Sequence, residues 1–462
     1  MNKIVVKGEL VMIRTIQWNN DPILGNLNLN FQKDDGSIYN TIVFAGENGS
    51  GKTSILESMS KFLNLGTIEP FKSIEYDANN DTFLITPADQ HAHSGWHNRA
   101  KKSDNTSKLI TSNKNTSRES IEADADDIRH YGCVYSKARS GFKTNPVKYS
   151  TTQQIDCDKY DEDNNDDFTN IKQLIVDIKG QDNSAWDKIG AKGEETTYEQ
   201  FHLTSKIYRF EQAFNNFFES LKFNGVKEDF ATEKRVEFSK NNQSIKIDDL
   251  STGEKQVVFR GSQLLRNSNN LDGGIVLIDE PELSMHPKWQ AKVFDYYRGL
   301  FTKNGVQTTQ MFFATHSENV IRAAAKDNEN VLIIILSDEA GTIKADKMNE
   351  IVLPSVTAAE INYLAFDVKS IDYHIALYGD FQTQTGKSKI EDADSLLAVQ
   401  PEYISTIHEK IDSYRRSNYT TLSTYIRNAI DHPDSGRIFT ESDLNVSIEL
   451  LRNVCKRLRA TP

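Results

Sequence analysis

The chain has 462 residues, of which 37% are apolar and 26% charged, and a formal net charge of −12. That length holds two to three domains and a sizeable core, and no run approaches the ~20 apolar residues that span a bilayer. The acidic balance argues against a broadly basic nucleic-acid-binding surface and leaves room only for a local groove. The opening Met1–Lys7 is too short and too polar for a secretory signal. Cys133, Cys157 and Cys455 stand far apart without metal spacing, which fits a reducing compartment. A cytoplasmic protein without a membrane span is expected.

Residues 9–45 alternate apolar and polar positions and read as antiparallel strands. They lead into the apolar run Thr41–Ala45 and then into Gly46, Glu47, Asn48, Gly49, Ser50, Gly51, Lys52 and Thr53, a complete G-x-x-x-x-G-K-T phosphate loop. A helical pattern follows over 53–64, and this strand–loop–helix context is what the motif needs. Its glycines let backbone N–H groups converge on a triphosphate, helped by the helix dipole. Lys52 would reach the β- and γ-phosphates and Thr53 would hold Mg²⁺. From about 66 to 130 the chain is polar with little periodicity and predicts a loop-rich, partly flexible insertion. Strand character resumes at Tyr131–Ser136, and Cys157–Asp167 reads as an acidic solvated loop. Helical spacing over 196–222 carries Tyr198, Phe201, Tyr208, Phe210, Phe214, Phe217 and Phe218, which read as packing rather than a base-stacking platform. Without sustained heptads, any arm here is short.

Arg235–Phe238 and Ile245–Ile247 form a hairpin around Asn241–Asn242 that delivers Leu250-Ser251-Thr252-Gly253-Glu254-Lys255-Gln256 to the start of a helix. A Ser and a Gly at a helix N-terminus make a second anion-binding surface. Gly274–Glu280 is an apolar run ending in two acids, the pattern of a buried parallel strand. Asp279 is placed there to orient Mg²⁺ and Glu280 to polarise an attacking water. Met311–Ser317 ends similarly on His316, whose imidazole can bridge a γ-phosphate and that water. Val331–Leu336 and a hairpin through Gly341 finish the sheet. Helical periods follow over Ala358–Phe366, Ile371–Leu377 and Glu402–Arg415, and Thr440–Asp443 caps a helix running to about Leu458. The acidic Glu391–Asp394 has no apolar strand before it and reads as a helix start or loop.

With phosphate loop, L-S-x-G-E, I-D-E-P and T-H-S in that order, the chain resembles the ABC-type ATPases of the branch that includes the SMC proteins, RecF and the OLD nucleases. Within that branch it looks like the ATPase subunits of bacterial anti-phage systems such as Septu, also found with retrons, and PARIS. Pro281–Pro287 is a version of the branch's P-E-x-x-L-H-P stretch, with Met285 in place of the usual Leu. The resemblance implies an α/β fold: an ABC-type head with a mixed sheet over 1–65 and 236–354, an insertion with a short helical arm over 66–235, and a helical C-terminal module over 355–462. It implies ATP and Mg²⁺ as cofactors and Glu280, His316 and Lys52 as catalytic residues. It further implies a head-to-tail dimer in which Ser251, Gly253 and Glu254 of one copy meet the nucleotide of the other, with Ser284 on the loop crossing between them. In this family a basic residue and a Gln after the Tyr131–Ser136 strand approach the nucleotide. Lys137 and Arg139 are the basic residues here, and Gln153 and Gln154 the two candidates, Gln154 being the expected metal contact. A separate effector nuclease is the expected partner, and a nucleic acid or a phage protein the expected trigger.

Tyr425–Pro433 contains R-N-x-x-x-H, similar to the motif of HEPN ribonucleases. Arg427 and His432 could supply the cation and the acid or base of metal-independent RNA cleavage. A solvated helix face ending at Pro433 explains the same residues. The reading is therefore an ATP-switched sensor or scaffold subunit, with a self-contained ATP-gated ribonuclease and a RecF-like DNA-repair ATPase as alternatives. Neither Lys101–Lys102 nor Arg415–Arg416 amounts to more than solvated surface.

Overall fold

Continuous apolar runs build one sheet of this protein and alternating runs build another. A computed structural model describes residues 10–88, 96–111, 114–161, 168–192, 196–229, 233–348, 351–414 and 417–460. Met1–Lys7, Arg415–Arg416 and part of the acidic 157–167 segment lie outside them. The chain divides into two compact units, Met1–Asp346 and Lys347–Pro462, the division falling a little before the expected 355.

The alternating set opens with β1 (Met12–Trp18) and β2 (Asn28–Asn30), and the continuous set with β3 (Thr41–Gly46), buried throughout. Helix α1 (Lys52–Leu63) is followed by β4 (Phe71–Ala78), β5 (Asp81–Pro87), β6 (Trp96–Lys101), β7 (Ser107–Thr111) and a short helix α2 (Lys114–Glu122). These strands make a six-stranded antiparallel sheet in the order β2-β1-β4-β5-β6-β7. The loop-rich insertion expected over 66–130 is thus corrected. Each strand buries one face only, so in β4 Ile74 and Tyr76 sit singly between polar residues. Turns at Asn79–Asn80 and Asn105, all at positive φ, add to the polar composition.

The chain then supplies β8 (Cys133–Ser136), β9 (Tyr160–Asp161) and the helices α3 (Thr169–Lys192), α4 (Tyr198–Thr204) and α5 (Lys206–Phe217). Strands β10 (Leu221–Asp229), β11 (Glu233–Lys240) and β12 (Gln243–Lys246) form a three-stranded sheet. Asn241 and Asn242, at φ 51° and 63°, make its expected two-residue hairpin turn. One continuous helix follows, α6 (Thr252–Lys255), a π-helical turn (Gln256–Arg260) and α7 (Gly261–Arg266). After it come β13 (Ile275–Asp279), α8 (Pro287–Leu300), a small hairpin β14 (Thr302–Lys303) and β15 (Val306–Gln307), β16 (Gln310–Thr315), α9 (Glu318–Ala324), β17 (Val331–Glu339) and β18 (Thr342–Lys347). The second sheet has the order β18-β17-β3-β16-β13-β8-β9, and from β17 to β9 every pairing is parallel. Parallel pairing puts the carboxyl ends of all these strands on one edge, where Gly46, Ser136, Asp279 and Thr315 end.

The main core lies between the two sheets and takes in Ile55, Leu56, Met59, Phe62 and Leu63 of α1. Gln310 stitches the sheets together from within: its Oε1 accepts from Ile13 N at 2.8 Å, and its Nε2 donates to the carbonyls of Ile13 and Tyr39, each at 3.2 Å. A buried amide with its partners in place fixes the register of the layers.

The second unit has α10 (Ala358–Phe366), α11 (Ile371–Thr385), α12 (Ile390–Leu397), α13 (Ser405–His408), β19 (Glu409–Tyr414), β20 (Ser417–Thr421), α14 (Leu422–Asp431) and α15 (Glu441–Ala460). Its core packs Tyr373, Leu377 and Phe381 of α11 with Ile448, Leu451 and Val454 of α15. Thr440 and Asp443 cap α15 reciprocally, as the sequence predicts. The helix expected over 402–415 is corrected to one short turn and a hairpin. Exposed Ile404, Ile407 and Ile411 imitate a helical period, but Lys410 and Asp412 alternate onto the other face, where they pair with Asp443 and Arg437. Among the described residues no helix is long and apolar enough to cross a membrane.

Candidate nucleotide site

The phosphate loop leaves β3 through Gly46 at φ 147°, where a Cβ would stand 2.2 Å from the Leu336 carbonyl of neighbouring β17. Only glycine fits this approach. Gly49 and Gly51 take φ 87° and 86°, turning the chain into α1. Glu47, Asn48 and Gly49 are exposed at the tip, and Ser50 and Lys52 are buried. Lys52 Nζ donates to the carbonyls of Gly46 (2.9 Å) and Glu47 (2.7 Å) and approaches Ser50 Oγ (3.4 Å). Burial lowers its pKa, against the opposing pull of Glu280 and Asp279. The loop thus holds a costly ammonium on its own carbonyls, contacts that phosphate oxygens can replace.

The Thr53 hydroxyl lies 3.0 and 3.2 Å from the two carboxylate oxygens of Asp279 at the end of β13. Burial pushes the Asp279 pKa up to about 6, with Glu280 and Glu282 adding to the rise and Thr53 and Arg260 opposing it. A hydroxyl and a carboxylate side by side are hard oxygen donors of the kind Mg²⁺ takes. Among the described residues there is no group of three or more His, Cys, Asp or Glu side chains that could cage a metal alone. A cation held by Thr53 and Asp279 would therefore take its remaining donors from elsewhere.

Glu280 follows at φ 42°, left-handed for a residue with a side chain. Its N–H donates to the Ala314 carbonyl at 2.8 Å, and its carboxylate is 3.3 Å from His316 Nδ1. The pair shifts in opposite senses: the hydrogen bond to His316 lowers Glu280, and the same bond raises His316. Beneath them Glu282, 2% exposed, accepts from the Thr315 hydroxyl at 2.7 Å and from His316 N at 3.2 Å, while its Oε2 has no partner among the described residues. Burial raises its pKa. Three acids from one loop therefore share a small volume with Lys52 and His316.

Ser251 caps the signature helix, and Gly253 lies so near the next loop that a Cβ would stand 2.8 Å from Ser284 O. Glu254 closes a capping box with Ser251. Its carboxylate accepts from Ser251 N and Oγ, both at 2.8 Å, and from Lys240 Nζ at 2.7 Å. Gln154 is corrected. The neighbouring Asp156 N–H donates to the Arg266 carbonyl and Cys133 N–H to Lys159 O, so this segment lies where β8 and β13 begin. Asp279 is at the far end of β13, roughly 13 Å away at 3.3 Å per residue. Gln153 goes with it, its carbonyl accepting from Gln181. Lys137, by contrast, follows the carboxyl end of β8 and reaches to 3.7 Å from Glu57 of α1.

Sequence reasoning missed Arg260. Its guanidinium, 0% exposed, donates to Ser136 Oγ (2.8 Å), Ser136 O (3.0 Å), Asp279 O (2.6 Å) and Glu280 O (2.9 Å). A single cation among Val257, Val258, Phe259, Leu264 and Leu265 was the available signal. In the second unit Arg427 of α14 forms a 2.5 Å ion pair with Asp431 one turn on and donates to Asn428. His432 is the exposed C-cap of the same helix.

A "Retron Vc95 probable ATPase" of Vibrio cholerae is 23% identical over 370 residues, covering 65% of this chain and 70% of that protein. A "Retron Ec83 probable ATPase" of Escherichia coli is 35% identical over 104 residues, 21% of this chain and 18% of that protein. The Septu protein PtuA of Bacillus thuringiensis is 31% identical over 131 residues, 26% of this chain and 30% of that protein. Among solved structures, an Smc head bound to the C-terminal winged-helix domain of ScpA matches at 15% identity and a TM-score of 0.40, covering 73% of this chain and 98% of that one. The family model "AAA domain, putative AbiEii toxin, Type IV TA system" matches residues 42–322, more than half of the chain and every nucleotide-site motif described above, and the protein belongs to that family of AAA-domain proteins.

Proposed function

We propose that the protein is an ATPase of the anti-phage defence type, which binds ATP with Mg²⁺ at the carboxyl edge of the seven-stranded sheet and hydrolyses it. One observation carries this reading: Lys52, the Thr53–Asp279 pair and the Glu280–His316 pair converge at a single sheet edge. The similarity to retron and Septu proteins supports the defence setting.

Bound Mg²⁺-ATP supplies an electrophilic γ-phosphorus in this site. Lys52 exchanges its loop carbonyls for phosphate oxygens and neutralises their charge. Thr53 Oγ1 and Asp279 would hold the cation, whose charge would favour the ionised Asp279 against the burial that raises its pKa. The Glu280 carboxylate accepts a proton from the attacking water. His316 keeps that carboxylate anionic and aimed. Ser251 and Gly253 serve the nucleotide of a second copy, so that ATP joins two heads and hydrolysis releases them. A ligand shifts such an equilibrium only through its different affinity for the two states, and a γ-phosphate held by both heads supplies the difference. The dimer, or a higher assembly built on it, regulates a separate effector nuclease in the cytoplasm.

Glu280→Gln tests this. The variant should bind ATP and Mg²⁺ as the wild type does, turn over about 10²–10³-fold more slowly, and run as a stable ATP-dependent dimer by native mass. Co-purification with the product of the neighbouring gene would give the effector and its stoichiometry. Unchanged turnover in Glu280→Gln would refute the assignment. The ribonuclease reading is not favoured by the Arg427–Asp431 ion pair, which engages the cation that reading would use.

A further inference from the structure

The helix that begins at the signature ends its π-helical turn on Arg260, and the grip of Arg260 is on backbone. The guanidinium uses four of its donor directions on oxygens at the ends of two parallel strands: both oxygens of Ser136, which ends β8, and the successive carbonyls of Asp279 and Glu280 at and beyond the end of β13. It also lies over the ring of Tyr297, 5.9 Å from the centroid. A planar fork with fixed N–H directions sets the orientation of the groups it holds, which a point charge cannot do.

The held peptide is the one that aims Glu280. Its N–H is fixed by Ala314 O and its own carbonyl by Arg260, so the residue is pinned on both sides at a backbone angle, φ 42°, that a side chain disfavours. Losing the Arg260 contacts frees Glu280 to relax toward an ordinary conformation and carries its carboxylate away from His316. The same helix touches the loop after Glu280 a second time, where Gly253 lies against Ser284 O. Arg260 and Gly253 stand about two turns apart, roughly 10 Å along a helix axis at 1.5 Å per residue. The segment from Asp279 to Ser284 is therefore held at both ends by one rigid element. A π-helical turn within an α-helix leaves a local irregularity that such turns commonly bring to functional sites, and here it falls on the five residues that end in Arg260.

We propose that Arg260 is a positioning residue that couples the signature helix to Glu280. Contact of Ser251 and Gly253 with the nucleoside triphosphate of a second copy then sets the attack geometry at the nucleotide held by this copy. This rests on the proposed ATPase dimer and adds the residue that ties its two sites together. Motion of the helix along its axis moves the guanidinium, and with it the carbonyls of Asp279 and Glu280. Hydrolysis in the two sites becomes cooperative because each protomer carries a signature for one nucleotide and a water-activating acid for the other.

The test uses the full-length chain and compares wild type, Glu280→Gln, Arg260→Lys, Arg260→Met and Ser136→Ala. Nucleotide affinity is read by equilibrium binding, and turnover and its Hill coefficient by steady-state ATPase assays. Wild-type turnover that is lost in Glu280→Gln establishes the ATPase reading; its failure would sink that reading and leave the Arg260 variants unneeded. Given that activity, Arg260→Lys should lower kcat about 10–100-fold with nucleotide Kd within about threefold, and bring the Hill coefficient toward one. Ser136→Ala removes one anchor without leaving a buried charge unpaired, so it should give a smaller kcat loss in the same direction even if Arg260→Met does not fold. Equal losses of affinity and kcat, or a kcat within twofold of wild type in both Arg260→Lys and Ser136→Ala, would overturn the proposal. An unchanged Hill coefficient alongside reduced kcat would overturn the coupling.

Discussion

The carboxyl edge of the seven-stranded sheet and the core of the C-terminal unit both bury acids, and they surround them in opposite ways. In the C-terminal unit Asp394 and Glu360 are answered by backbone amides and hydroxyls, and Asp380 by the Arg459 guanidinium at 2.7 Å. Asp394 accepts from the N–H and the hydroxyl of both Thr420 and Thr421. Glu360 takes the N–H groups of Val352 and Leu353. At the sheet edge, Asp279, Glu280 and Glu282 crowd together and two of them raise the pKa of the third. A solitary buried acid with amide partners closes a loop or caps a helix, whereas clustered acids are a debt that only a cation clears.

The largest expected effect separates these two uses directly. Asp279→Asn should cost about 10³-fold in turnover, roughly 4 kcal/mol, yet stabilise the nucleotide-free chain. The sign follows from the raised pKa. The ionised form of Asp279 is disfavoured in the fold, so its cost develops as pH rises from 3.8 to about 6 and is fully present at neutral pH. A neutral amide removes it, a gain of about 1–3 kcal/mol. Asp394→Asn should instead destabilise by about 2 kcal/mol, with turnover unchanged. Urea unfolding without nucleotide, set beside steady-state turnover, reads both variants. Loss of stability in Asp279→Asn would mean that the edge is architecture like the core of the other unit.

Acid makes the next difference. Burial drives His374 of α11 down to about 3, and its Nε2 pairs with Ser447 Oγ at 2.9 Å. A histidine with a depressed pKa in the fold contributes stability above 6.5, and that stability is lost as pH falls toward 3, because the unfolded chain takes up a proton that the folded chain refuses. The loss should reach about 3 kcal/mol by pH 4. His374→Gln, which does not titrate, should flatten this limb between pH 6.5 and 4. At the sheet edge His316 has the opposite sign: its pKa is raised, so what it adds by protonation is present below 6.5 and declines as pH rises through its folded value. Denaturation midpoints taken across that range in His374→Gln and His316→Gln would distinguish the two histidines. An unchanged slope in His374→Gln would show that this ring titrates normally.

The nucleotide site was legible in the sequence because its chemistry is local. Gly46–Thr53 holds the whole phosphate-loop motif within eight consecutive residues, and Asp279, Glu280 and His316 each end an apolar run whose parallel pairing brings them together. Arg260 was not legible, because its role depends on which carbonyls lie beside a helix turn, and carbonyls leave no trace in residue type. Gln154 was misplaced for a related reason. Order along the chain puts it after β8, but the segment doubles back to the strand's beginning before β9 pairs there. The antiparallel sheet over 71–111 was hidden by its own exposure, since strands that bury one face and turn through asparagines carry the composition of loops.

The smallest expected effect bears on the motif that would blur the contrast between the units. Arg427 and Asp431 are one turn apart on α14, and their side chains are 23% and 37% exposed. An exposed pair at that spacing is worth about 0.3–0.5 kcal/mol, so Arg427→Ala should lower the unfolding free energy by no more than about 0.5 kcal/mol. Asp431→Ala should cost about the same, and the double variant little beyond either single change, as a double-mutant cycle on one contact requires. A catalytic Arg427 would break this symmetry. RNA cleavage by the purified chain would then vanish in Arg427→Ala and His432→Ala and survive, or rise, in Asp431→Ala, because removing the acid frees the cation for a phosphate. Equal small stability losses with no RNA cleavage in any variant leave the helix end as structure, and chemistry confined to the sheet edge where the acids crowd.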